Sequence, residues 1–516
     1  MRLVLLFSLF GLICSGYALY STDGLLKPDH TFSSKIYPPF QTKQGAFIPS
    51  DGDIVVGKNG IDPISILNEE VNPIYQSVFW NSAHVRTSNK WKPPITTEAL
   101  ADVYIARSKK GILVSDEASI YTQFKNRKLN LPVVSIATDD AGLFSEKDGI
   151  YVQGDTWHND GLDHLNEAWF DKKGNYSNRG SNWERKACVQ FFDTNQTETW
   201  SGQVGIRING NATRSFPQKS FRILSKDKKL IGPTGAKSAS LILRNGGNTF
   251  THTIVGDMVV QSMLEKTGML YQKGYSAVVL LNGTYWGIHN VRDRWKTNDL
   301  ALKYKTTIDK VAIWENGEVV NGNADLGKKL ADLFTKLRAG EAEYSEIKEL
   351  ISIKNFAKYL LFESWAINED WPTNNYALYK TGKKKWRFLV SDLDLAFDYK
   401  RLGSHDRNIF EDLAESNSEI GLLYQTLIKS PKFKDLLLKE YQDLVDNDVF
   451  SAQVFSDKIE ENRNILKTEI KHQIARWGKP SSVEEWSKNL DAMVEFAQSR
   501  QKVFEAQVLK IASNEE

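Results

Sequence analysis

The 516-residue chain predicts an α+β fold spread over more than one domain. Short β-like runs dominate before Asn298, helical periodicity dominates after it, and a polar Pro/Gly-punctuated stretch from Pro28 to Asp53 precedes both. With 41% hydrophobic and 25% charged residues, the composition is that of ordinary folded protein. The formal net charge of +2 gives no electrostatic case for nucleic acid or an anionic membrane as the main partner.

Residues 1–18 read as a signal peptide: Arg2 supplies a positive start, Leu3 to Ile13 a short apolar run, and Gly16 and Ala18 the small residues before cleavage. An uncleaved anchor is the alternative. Cys14 suggests a lipoprotein, but the bulky Ile13 before it argues against one. No later stretch reaches the roughly 18 apolar residues of a membrane helix, so the expected location is secreted, periplasmic or cell-surface. Cys188 is left without an intrachain partner once Cys14 departs, and its apolar surroundings, Ala187 to Phe192, predict a buried structural thiol.

Residues 19–56 read as a linker or lead-in. From 57 to 127 short runs, including Gln76–Trp80, Ala101–Ala106 and Ile120–Phe124, alternate with turn residues and Pro93-Pro94, which predicts a small accessory β-sandwich. A second region opens with Leu131-Pro-Val-Val-Ser-Ile. Its further strand candidates are Gly149–Val152, Ala187–Phe192, Gly205–Ile208, Ser220–Ile223, Leu241–Leu243 and Ala277–Leu281. Asn282-Gly283 between Val278–Leu281 and Thr284–Ile288 predicts a tight hairpin. Thr253 to Lys266 carries apolar residues at helical spacing, with Gly268 as a stop. After Asn298 one hairpin-like segment, Tyr376–Tyr379 and Trp386–Val390, interrupts the helices. The tail from Phe433 to Ile511 is helical with a break at Gly478, and its charges read as solvated helix faces.

Chemistry concentrates between Asp370 and Asp394. A loop after the predicted helix Phe356–Ala366 reads Asn368-Glu-Asp370-Trp-Pro-Thr-Asn374-Asn375-Tyr376, and the following hairpin ends in Ser391-Asp392-Leu-Asp394. Acids at i and i+2 share a side of an extended backbone. Several carboxylates near one hairpin repel unless a cation neutralises them, and hard oxygen donors suit magnesium or manganese. Asp370-x4-Asn375 matches the catalytic-loop spacing of protein kinases, with a metal-binding Asp following an intervening hairpin. The plain alternative has Asp370 capping a turn and Asp392 and Asp394 at a solvated strand end. Upstream, Gly205 to Phe221 reads as strand, Gly-containing turn and strand, with Arg207, Arg214 and Lys219 placed to meet phosphate oxygens. An ordinary basic hairpin is the competing reading.

Together the two segments resemble the CotH family, the spore-coat-type atypical protein kinases. Gly210-Asn-Ala-Thr-Arg214-Ser-Phe-Pro217-Gln-Lys219-Ser-Phe221 is similar to that family's basic turn. Asp370 to Tyr379 and Asp392-Leu-Asp394 are similar to its acidic loop and strand end, and Asn282-Gly-Thr-Tyr-Trp-Gly287 to its hairpin. The resemblance covers roughly Leu131 to Ile511, and the residues before it resemble a chitobiase C-terminal-like sandwich through Val85-Arg-Thr87, Pro93-Pro94 and Gly111 to Tyr121. It implies a two-lobed, atypical kinase-like fold over 128–432 with a helical C-terminal region, 433–516, packed on it. It further implies ATP and Mg2+ or Mn2+ as cofactors, and Ser/Thr hydroxyls of an exported or surface protein as acceptor. Asp370 becomes the catalytic acid/base-type residue, Asn375 a metal ligand, and Asp392 the second metal-binding residue with Asp394 close behind. Lys219 becomes the nucleotide-phosphate lysine supported by Arg207; the sequence does not place its glutamate partner, for which Glu265 on the Thr253–Lys266 helix is one candidate. Ala212, Gln218 and Ser391 depart from the family pattern, where a hydroxyl, a lysine and a tryptophan are usual. A non-catalytic surface, adhesion or coat-assembly protein on the same fold is the competing function. A metal-dependent nuclease or hydrolase fits the acids but leaves Lys219 without a role.

Overall fold

The computed structural model describes residues 53–60 and 98–513, apart from the stretches 111–112, 116–117, 126, 160–172, 228–229 and 399–402, together with two-residue strands at 19–20, 40–41 and 47–48. The expected signal peptide over 1–18, the run Gln76–Trp80, Val85-Arg-Thr87 and Pro93-Pro94 lie outside the described residues.

Strands β1 (Asp53–Lys58), β2 (Ala101–Lys110) and β3 (Ser119–Phe124) form an antiparallel sheet with β2 in the middle. Alternation along β2 and β3 puts Val103, Ile105 and Ile120 on one buried face. That face does not close on a core of its own. It joins a core containing Phe192, Val278, Tyr285 and Ile288 of the next unit and the apolar residues of the C-terminal helices. Phe124 meets Phe192 edge-on at 4.9 Å, and Thr122 Oγ donates to Ser135 Oγ at 2.8 Å.

Seven strands then close a barrel: β4 (Val133–Thr138), β5 (Arg185–Phe192), β6 (Glu198–Asn209), β7 (Ser220–Leu224), β8 (Ser240–Arg244), β9 (Gly274–Leu281) and β10 (Thr284–Asp293), in the order β6-β7-β8-β10-β9-β4-β5. All neighbours are antiparallel except β9 and β4. Alternate residues (Val134, Ile136, Ile206, Phe221, Leu241, Leu243, Val279) fill the interior around Trp286. The turn between β9 and β10 is the expected Asn-Gly turn, with φ of 50° at Asn282 and 80° at Gly283. Helix α1 (Gly256–Ser262) lies between β8 and β9 and is shorter than the predicted Thr253–Lys266.

The second lobe opens with a five-stranded sheet. Leu270–Tyr271 leads, followed in space by β14 (Arg387–Val390), β13 (Ala377–Thr381), β11 (Val311–Glu315) and β12 (Glu318–Gly322). The β11–β12 hairpin stands where helix alone was expected. Its turn is again Asn-Gly, Asn316 and Gly317 at φ 51° and 86°, the same signal that marks the barrel hairpin. Helix α2 (Lys328–Ala339) precedes α3 (Ile353–Ala366), which is buried on every side from Phe356 to Ala366 and forms the centre of the lobe. Around it pack α4 (Glu419–Ile428), α5 (Pro431–Asp446), α6 (Ala452–Leu466), α7 (Ile470–Trp477) and α8 (Val483–Ser513). Among the described residues no helix is long and apolar enough to cross a membrane.

Helix α7 returns from this lobe to the barrel. Gln473 Oε1 accepts from Ile288 N at 2.8 Å, Gln473 Nε2 donates to Gln218 Oε1 at 2.6 Å, and Trp477 Nε1 donates to Trp286 O at 3.0 Å. Just before it, Glu469 takes Arg127 Nη1 at 3.0 Å. From α8, Trp486 Nε1 reaches Thr253 O at 3.2 Å.

Candidate active site

The loop that carries Asp370 is pinned at both ends. Ile367 turns the chain out of α3 in the left-handed region (φ 47°). Trp371 is buried, with its indole N–H on Tyr359 Oη of α3 at 3.0 Å, and at the far end Tyr376 Oη donates to Glu419 of α4 at 2.8 Å. Between these anchors Asn374 N donates to Asp370 O at 2.9 Å, and Asn375 Nδ2 donates to Asp370 Oδ2 at 3.1 Å. The structure therefore joins the predicted pair Asp370 and Asn375 directly. Asn375 sits at φ 56° and Asp392, at the end of β14, at φ 58°. Left-handed backbone at non-glycine residues is uncommon, and it clusters where side chains must be aimed.

Asp392 and Asp394 converge on a residue the sequence reading did not single out. Arg244, last in β8, places Nη2 on Asp392 Oδ1 and 2.5 Å from Asp394 Oδ2, with Nε 3.4 Å from Asp257 of α1. Asp257 also takes Arg292 Nη1 at 2.8 Å and the Leu393 N–H at 2.9 Å, so α1 holds the acidic turn from behind. Asn248 completes Asp394, giving its backbone N–H to Oδ2 at 2.8 Å and its amide to Oδ1 at 2.9 Å. Asn368, from the first loop, donates to the Asp392 carbonyl at 3.3 Å and to the buried Glu363 at 3.4 Å.

Burial and charge set the acids apart. Burial lifts Asp394 to about 7, aided by the neighbouring Asp392 and opposed by Arg244. For Asp257 burial pushes the same way, but Arg292 and Arg244 outweigh it and hold it down at about 2. Burial opposes the charge on Arg244, yet Asp392, Asp394 and Asp257 raise its pKa above the usual arginine value. Glu363, fully buried, is pushed up to about 8 by desolvation.

Asp392 Oδ2, on a side chain 39% exposed, and Asn375 Oδ1 remain without a hydrogen bond from the described residues, as do the buried Asn368 Oδ1 and Glu363 Oε1. The first two are oxygen donors of the type a hard divalent cation takes. Asp394 has both oxygens engaged, so Asp392 is the better donor of the two. Among the described residues no group of three or more His, Cys, Asp or Glu side chains has metal-holding geometry. The donor set is split between two loops and mixes carboxylate with amide.

The basic turn departs from expectation. Lys219 is fully buried, its ammonium on the carbonyls of Arg214 and Phe216 (the latter at 2.9 Å) and 3.9 Å from the Tyr176 ring. Burial, then Arg214, depress its pKa well below the lysine value. It clasps its own loop, and the cation that meets the acids is Arg244. Arg214 likewise serves the carbonyls of Gly210, Tyr176 and Asn178, and Arg207 pairs with Glu184 at 2.6 Å. Glu265 is not the partner of Lys219: it bonds Lys273 at 2.6 Å on the surface. The pairing of a strand cation with a helix carboxylate is made instead by Arg244 and Asp257. Its sequence signals are a lone Arg before Asn245-Gly-Gly at the end of an apolar strand, and a lone acid inside the apolar run Ile254 to Met263.

A sequence model of one protein family, described as CotH kinase protein, matches residues 206–504. Among solved structures the chain is similar to the crystal structure of a Helicobacter pylori proinflammatory kinase, CtkA, at 9% identity and a TM-score of 0.28, covering 60% of this chain and 92% of that one. No curated protein matches the chain.

Proposed function

The chain belongs to the CotH kinase protein family, and from that premise we propose that it transfers the γ-phosphate of ATP to Ser or Thr hydroxyls of a protein acceptor. The observation that carries the reading is the arrangement of Asp370 with Asn375 on one loop and Asp392 with Arg244 at the end of β14. Asp370 orients the acceptor hydroxyl and receives its proton. Asn375 holds Asp370 through its amide nitrogen and offers its oxygen to a magnesium or manganese ion, as Asp392 does through Oδ2. That ion, when bound, neutralises phosphate charge during transfer. Asp394 positions Arg244, and Arg244 faces the phosphates as the cation of the barrel lobe. Export to the envelope or cell surface belongs to the same proposal, on the strength of residues 1–18.

Purified protein with magnesium or manganese and labelled ATP, compared with Asp370→Ala, tests the reading. Loss of labelling in the variant by about 10²-fold or more is expected from removal of a positioned base. Absence of labelling and of any nucleotide-induced thermal shift in the native protein sinks the proposal and leaves the non-catalytic surface protein in its place. Labelling that persists in the variant removes Asp370 from its role.

A further inference from the structure

The face of the barrel turned away from its apolar interior carries more cations than the site above employs. Cross-strand register puts Arg207 of β6 opposite Arg222 of β7, Arg222 opposite Ile242 of β8, and Ile242 opposite Arg292 of β10. Their sequence neighbours Ile206, Phe221, Leu241, Leu243 and Val291 point into the barrel core, so the arginines share the outer face with Arg244, which lies two residues beyond Ile242. Arg294 and Lys296 follow β10 directly.

The carboxylates near this row favour the charge on Arg222 and Arg294 from nearby, but they bond other groups. Glu184 bonds Arg207, and Glu315 takes Lys296 at 3.1 Å. Asp299 accepts from Ser238 Oγ and Ala239 N, both at 2.9 Å. Arg222 and Arg294 make no ion pair among the described residues, and Arg222 Nε and Arg294 Nη1 are buried without a hydrogen-bond partner. Leaving a buried guanidinium N–H without a partner is costly. Two such groups, with Arg222 close enough to lower the pKa of Arg294, call for an anion. Burial lowers the pKa of both; Arg207 adds to it for Arg222, and Arg222 adds to it for Arg294, which falls to about 9.

We propose that Arg222 and Arg294 together bind a phosphate group, with Arg207 and Lys296 at its rim. Guanidinium forks match phosphate oxygens in geometry and charge. Strand spacing puts the Cα of Arg222 roughly 8 Å from that of Arg244, within the reach of a polyphosphate chain extending from Asp392. The phosphate belongs either to the nucleotide or to an acceptor already phosphorylated. That assignment rests on the kinase reading, whereas the anion site itself does not.

The probe is inorganic tripolyphosphate without metal, followed by calorimetry and thermal shift at fixed ionic strength. The native protein is expected to bind it, and Arg222→Gln/Arg294→Gln to lose about tenfold or more in affinity. Arg222→Lys, as the milder variant, should retain part of it, and far-UV circular dichroism checks the folds. Equal binding by native and double-variant protein, or no binding by native protein, overturns the proposal. With ATP and magnesium, a raised KM for ATP in the double variant identifies the nucleotide as the source. An unchanged KM for ATP with lost labelling of a phosphoserine-primed peptide identifies the acceptor. Arginine-dependent tripolyphosphate binding in a native protein that transfers no phosphate upholds the anion site and refutes the kinase reading alone.

Discussion

Gly247 offers a sharp test of how the acidic turn is built. It stands at φ +62°, and a Cβ there would lie 1.9 Å from Asp394 Oδ2 and 2.4 Å from Arg244 Nη2. Neither neighbour can retreat, because Asp394 is also gripped by Asn248 and Arg244 also serves Asp392 and Asp257. Gly247→Ala therefore combines about 1 kcal/mol of left-handed backbone strain with separation of a buried ion pair, an event that costs about 3–5 kcal/mol when one partner is removed. The control is Gly235→Ala: φ there is +74°, but nothing lies within 4 Å of the added methyl, so only the strain, about 1 kcal/mol, remains. Urea unfolding followed by tryptophan fluorescence measures both midpoints. The first variant should lose several times more stability than the second. Equal shifts would refute the close approach of Arg244 to Asp394.

Three further outcomes follow from the same geometry. Lys219→Met should cost about 1.5–3 kcal/mol for each charged hydrogen bond lost while changing KM for ATP less than Arg244→Met does, as steady-state kinetics and thermal melts would show; the reverse order returns Lys219 to the phosphates. Glu363 has a folded pKa of about 8 against an ordinary 4.5, so its stabilising contribution is full below 4.5 and is lost as pH rises through about 8. Midpoints measured from pH 5 to 9 should converge on, or fall below, those of Glu363→Gln as pH rises; a constant difference would show that Glu363 is ionised throughout. Glu419→Ala strands Tyr376 Oη and Trp314 Nε1, which both donate to it, and should destabilise by about 1–3 kcal/mol for each stranded donor with accompanying loss of labelling; a stable, active variant would mean that the loop needs no anchor at its exit.

The contact of Asp370 with Asn375 was legible because one short loop confines both to a five-residue spacing. Arg244 and Asp257 were not, since an arginine closing a strand and an acid in a helix look the same in sequence whether they face solvent or each other. Only the barrel's closure brings β8 and α1 against the acidic turn. Lys219 shows the opposite failure. Its residue type and turn suited phosphate, but direction is a tertiary property, and the neighbouring carbonyls of Arg214 and Phe216 captured the ammonium. The β11–β12 hairpin was missed although Asn316-Gly317 announces it, because the strands are five residues each and sit inside a helical stretch. Strands β2 and β3 were read from short β-like runs between turn residues, whereas most of β1 falls in the stretch read as a linker. The sheet's sharing of a core with the helices was not visible, because alternation identifies a buried face without saying what covers it.

Helix α7 has a mechanical consequence. By plugging Gln473 and Trp477 into the barrel while its own chain runs on through α8, it rivets the two lobes together. Hinged jaws can gape to admit a bulky client and then clamp it; riveted ones offer a slot of nearly constant width. For the protein acceptor proposed above, such a slot would favour an extended segment over a folded surface.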